Sequence, residues 1–156
     1  MPEIIAGLEI PETAAVAEAT EQRFEVDGAD HARKFLLERG FPATAAGTVW
    51  TAIALHTTPG IPGRMAPETA VTHFGVLTDV LGFGLGELDG DRVAAIVAAH
   101  PRGNFKTEFL RTSVDGLRHR PGTTNGTVNS DYLEHFVPGF RRTTTVERIT
   151  GSPWPS

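Results

Sequence analysis

An all-α domain, an irregular bundle of about six helices, is the fold class this sequence predicts, and three observations carry it. Apolar residues recur three and four positions apart through most of the chain, the alternation that marks strands is nearly absent, and no internal repeat at a fixed period appears. A length of 156 residues suits one domain over 1–156, with 40% hydrophobic and 21% charged residues as in ordinary globular proteins.

The elements follow in order. Residues 1–22 are Ala- and Glu-rich and read as weakly patterned, with Pro11-Glu12-Thr13 as a helix start ahead of Ala14 to Thr20. Ala32, Phe35 and Leu36 recur at helical spacing from Asp27 to Arg39, and Gly40 stands where a C-terminal cap belongs. The next helix starts near Phe41-Pro42, with Val49, Ile53 and His56 on one inward face. A Pro/Gly-rich loop from Thr57 to Pro67 leads to a helix ending at Leu81, whose expected core stripe is Ala70, Phe74, Leu77 and Leu81. Glycines 82, 84 and 86 end it; with a helix rather than a strand in front, they read as a turn and not as a phosphate loop.

Asp89 or Asp91 caps a short helix with the stripe Val93, Ile96, Val97 and His100, stopped by Pro101. Phe105 to Leu117 is helical, with Phe109 or Leu110, Val114 and Leu117 toward the core. His119 to Thr127 is Pro/Gly/Thr/Asn-rich and reads as a loop, Ser130 to Val137 as a last helix, and the tail is expected to fold back through Ile149 and Trp154.

Composition narrows the chemistry. A formal net charge of −5 argues against sequence-independent nucleic-acid binding, which needs a basic face. With no cysteine, disulfides, thiolate catalysis and sulfur-ligated metals are excluded, so any metal falls to His, Asp or Glu. No window approaches the roughly 20 apolar residues of a membrane span, and the acidic start is unlike a secretory signal, which makes the cytoplasm the expected compartment. None of the four serines sits in a Gly-x-Ser-x-Gly elbow.

Among the histidines, His31 reads as a solvated helix residue, His100 as a helix-end cap, and His119 as a residue between arginines that meets an anion or water. His73 precedes Asp79 by six positions, which turns the two to different sides of one helix. His56 and Asp79, on successive helices, are the pair expected to converge, although spacing alone favours a satisfied core histidine.

Arg23 to Asp30, then WTAIALHTTPGIP from Trp50, then Asp79-Val80-Leu81-Gly82, together resemble the HD-domain superfamily, and within it the cyanamide-hydratase-like proteins. The likeness covers residues 22–142, with 1–21 a divergent segment and 143–156 a tail. It implies a metal-dependent hydrolase or hydratase in which metal-activated water attacks a phosphate ester or a nitrile. His56 and Asp79 would be the catalytic and metal-binding residues, the metal a divalent Zn, Fe or Mn, and Arg118, His119 and Lys106 the side chains attracting an anionic small-molecule substrate. This chain departs from that family: no His precedes His31 and no His-Asp pair exists, so Glu25, Asp27 or His73 would have to complete the sphere. The alternative expectation is a non-catalytic HD-like binding or assembly module, amino-terminally truncated, that relieves exposed apolar surface by self-association.

Overall fold

A computed structural model describes residues 21–154, and among them every regular element is helical. Seven α-helices follow one another: α1 Phe24–Glu38, α2 Ala43–Leu55, α3 Pro67–Leu81, α4 Gly90–Ala99, α5 Phe105–Leu117, α6 Asn129–Phe136 and α7 Thr145–Thr150. Short 3-10 turns at Pro62–Arg64, Leu85–Glu87 and Pro121–Thr124 join them. The all-α class and the approximate helix number match the sequence reading, and the helix expected at Ala14 to Thr20 lies outside the described residues.

α1 and α2 form the main packed pair. Their close approach depends on small side chains: Ala29, Ala46, Ala52 and Ala54 are buried, and a Cβ on Gly28 would lie 3.6 Å from Ile53. Trp50 Nε1 donates to Asp30 Oδ1 at 2.7 Å, pinning the outer edge of the pair. The chain reverses at Gly40, whose φ of 78° is a left-handed value that residues with a Cβ rarely adopt. The amide of Phe41 then reaches back to the Leu36 carbonyl at 3.1 Å.

α3 packs on α2 and on the Pro62–Arg64 turn, and starts with Pro at its first position, where a missing N–H costs nothing. Its inward face differs from the expected stripe. Thr69 and His73 are buried, whereas Phe74 and Leu81 are exposed, Leu81 by 72%. The rotation brings the His73 ring against the α2 end, where its Nδ1 lies 2.7 Å from the His56 carbonyl oxygen, one that the finished helix leaves unpaired.

α5 packs on α6 through Leu117 and Leu133, with Phe105, Phe109 and Tyr132 forming a run of ring contacts. The Pro/Gly/Thr segment before α6, expected as a loop, includes a 3-10 turn and buries Thr123 and Thr124, whose hydroxyls each donate locally to a carbonyl three residues back at 2.8 Å.

α4 behaves differently. Asp89 accepts from the amides of Asp91 and Arg92 and so caps it, as expected. Its apolar stripe, however, is largely uncovered: Val93 is half-buried, but Ile96 is 63% exposed, Val97 is also exposed, and α4 packs extensively on no other element. A helix of ten residues is marginal in water without tertiary support. Its cap therefore counts, and Asp89→Ala is expected to weaken the helix by about 1 kcal/mol. Amide exchange within α4 should then accelerate about fivefold, with no change in α1 to α3. The tail also departs from expectation, since Ile149 and Trp154 lie in solvent, Trp154 by 83%. Residues 145–150 instead form α7, closed by a Thr144–Glu147 capping box.

Candidate functional site

His56 is the C-terminal cap of α2, half-buried, with Nδ1 donating to the Ile53 carbonyl at 2.6 Å. Asp79 lies on α3, six residues and about 9 Å along the helix axis beyond His73, the histidine that touches the His56 backbone. Its side chain is 56% exposed and engaged: Arg102 Nη1 donates to Asp79 Oδ1, and Nη2 donates to the Asp79 carbonyl at 2.8 Å. The same guanidinium sits 4.3 Å from the centre of the Phe105 ring. Arg102 thus joins the α3 end to the α5 start and neutralises the carboxylate.

Among the described residues no three His, Asp or Glu side chains group to hold a metal ion. The donor set does not fit a catalytic metal, because Arg102 occupies the Asp79 carboxylate and no third His, Asp or Glu among the described residues groups with it and His56.

The expected anion-attracting residues are not brought together either. Lys106 and Arg118 stand near opposite ends of α5, twelve residues or about 18 Å apart. Arg118 pairs with Asp115 at 3.5 Å, and His119 is exposed beyond the helix end.

The most connected polar group is Glu25, which the sequence offers only as a residue to complete a metal sphere. Glu25 is 0% exposed in the first turn of α1. Its Oε1 accepts from Thr57 Oγ1 at 2.5 Å and from Asn129 Nδ2 at 3.3 Å, while Oε2 accepts from Arg23 Nε at 3.5 Å. One carboxylate therefore ties α1 to the α2 end and to the start of α6. Burial pushes this carboxyl up, yet the bonds from Thr57, its own backbone amide and Arg23 outweigh burial and hold it below the ordinary range. Burial raises the neighbouring Tyr132 phenol, helped by Asp131 and by Glu25 itself. The Asp27–Arg120 pair, 2.5 Å apart and largely buried, reinforces the same junction.

A sequence signal for Glu25 existed. It shares a face with Ala29, Ala32 and Leu36 at i, i+4, i+7 and i+11, so an acid sits at a core position of α1. Being sealed from solvent, it cannot meet a substrate, and its role is architectural.

Two depressions stand out among the described residues. One of about 340 Å³ is lined by Asp131, Glu134, His135 and Arg142, with Arg142 already bridging Asp131 at 2.9 Å and Glu134 at 3.2 Å. The other, about 300 Å³, is lined by Gly60, Gly63, Arg64, His73 and Phe74. A scan against protein-family models, a search of curated proteins and a search of solved structures each return no match. No helix among the described residues is long and apolar enough to cross a membrane.

Proposed function

We propose that this chain is a non-catalytic assembly module whose partner is a second copy of itself. The observation that carries the reading is an inverted balance of apolar residues. Among the described residues eighteen large hydrophobic side chains are exposed. Of the seven buried apolar residues four are alanines, which leaves only Leu36, Leu117 and Leu133 as sizeable core side chains. Monomeric soluble proteins rarely leave apolar surface uncovered on that scale.

Leu81, Phe83, Leu88 and Ile96 concentrate the effect between the α3 end and the unpacked α4. An isologous dimer covers the patch on both copies at once, with each protomer contributing the same side chains. A standard interface removes roughly 1,600 Å² from water.

Equilibrium sedimentation from 1 to 100 μM, roughly the range over which moderate self-association titrates, tests the proposal. Twice the chain mass at the upper concentrations is expected, and the single-chain mass throughout would overturn it.

A second reading, a metal-dependent hydrolase or hydratase of phosphate esters or nitriles by resemblance to HD-domain proteins, has one supporting observation. His56 and His73 each give Nδ1 to a backbone carbonyl, the arrangement that leaves Nε2 for a metal. The Arg102 clamp on Asp79 weighs against it. Stoichiometric Zn, Fe or Mn in untagged protein, lost in His56→Ala, would favour that reading.

A further inference from the structure

The cavity between the Pro62–Arg64 turn and α3 points to a function separate from assembly. We propose that it binds the carboxylate of a small aromatic 2-hydroxy acid. Its volume of about 300 Å³ is at the lower end for small-molecule sites, enough for a ligand of about a dozen heavy atoms.

Three features set the chemistry. The Arg64 guanidinium lines the cavity and makes no ion pair with any described carboxylate, so its fork of donors is open to an oxyanion. His73 is only 4% exposed, and its Nδ1 carries the proton donated to the His56 carbonyl. Nε2 therefore bears the lone pair in the neutral ring. It has no hydrogen-bond partner among the described residues and is not sealed from solvent, which leaves it to the cavity as an acceptor for an O–H group. Phe74, 45% exposed, supplies an aromatic wall.

Gly63 makes the wall possible. A Cβ there would come within 2.9 Å of the tip of the Phe74 ring, so a side chain at 63 would push the ring from its place against the turn. An anionic fork, an acceptor and a ring face together match a carboxylate, a neighbouring hydroxyl and an aromatic body. A carboxylate suits the site better than a phosphate ester, whose charge near neutral pH is about −1.5 to −2, because Arg64 is the only cation lining the cavity.

Mandelate is the probe, followed by calorimetry and by chemical shifts of the Arg64 Nε–H and the His73 ring at pH 7.5, with phenylacetate, benzyl alcohol and phenyl phosphate as comparisons. Mandelate should bind with a millimolar or tighter Kd. Phenylacetate, which lacks the hydroxyl, should bind several-fold more weakly, and benzyl alcohol should not bind measurably. Arg64→Ala should weaken mandelate at least tenfold while Arg64→Lys retains part of the affinity, and Gly63→Val should abolish binding by displacing Phe74.

Arg64 lies on an exposed turn, so its variants retain the fold, and sedimentation of Arg64→Ala reports assembly independently of ligand. The proposal is overturned if mandelate fails to bind at 20 mM, about twentyfold above a millimolar Kd. It is equally overturned if Arg64→Ala leaves the affinity unchanged, or if phenyl phosphate binds more tightly than mandelate.

Discussion

Replacing Phe83 and Ile96 together by aspartate is expected to leave a folded monomer. Both side chains are exposed in the single chain, so the substitution removes nothing that the fold uses. In the proposed dimer each would be covered, and burying a side chain of that size contributes about 1.5–3 kcal/mol. The aspartates forfeit that gain and add the cost of desolvating a charge. A loss of about 4 kcal/mol corresponds to a dissociation constant raised roughly a thousandfold. Sedimentation should show the single-chain mass at every concentration at which the parent chain is dimeric, with unchanged far-ultraviolet dichroism. An unaltered mass distribution would move the interface away from α4.

Glu25→Ala is expected to have the largest effect on stability. The substitution leaves Asn129 Nδ2 and the Thr57 hydroxyl facing a hole and frees Arg23. Unmade bonds of buried donors cost about 1–3 kcal/mol each where water cannot replace the partner. A total near 3 kcal/mol lowers the melting temperature by roughly 6–12 °C for a chain of this size. Glu25→Gln keeps an acceptor oxygen for Thr57 and Asn129 and should cost about half as much.

The pH dependence has a definite sign. The folded-state carboxyl titrates below its unfolded value, so its contribution is complete above the unfolded pKa of about 4.3 and fades as pH falls through the lower folded value. The stability difference between the parent chain and Glu25→Gln should therefore narrow below about pH 4. A difference that widens there would show that the buried group is held protonated.

Helix positions were legible where punctuation and periodicity agree. α3 begins at Pro67 and α5 spans Phe105 to Leu117 as the pattern predicts, and Gly82 closes α3 in a left-handed conformation, its amide meeting the Thr78 carbonyl at 2.9 Å. Helix faces were less legible. A stripe of Phe74, Leu77 and Leu81 reads as core by hydropathy, yet α3 turns Thr69 and His73 inward, because the open carbonyl at His56 offers His73 a hydrogen bond that no phenylalanine could make. Likewise the α4 stripe is read correctly as apolar, but periodicity does not say whether its cover comes from the same chain.

The pairing of His56 with Asp79 rested on residue spacing and on resemblance, and neither sees Arg102, which lies 23 positions beyond Asp79 and occupies the carboxylate. Glu25 is named from sequence only as a residue to complete a metal sphere, and its architectural role is hidden for the opposite reason. An acid in the first turn of a helix is expected to face solvent and favour the dipole, and only its register with Ala29 and Leu36 reveals that it faces inward.

The prevalence of alanine, threonine, serine and asparagine inside this fold has a thermal consequence. Exposing apolar surface raises the heat capacity on unfolding and exposing polar surface lowers it. With few bulky apolar side chains enclosed and Glu25, Thr69, Thr124 and Ser130 among the largest fully enclosed ones, the two contributions offset more than in an ordinary domain. The stability of the single chain should consequently vary gently with temperature.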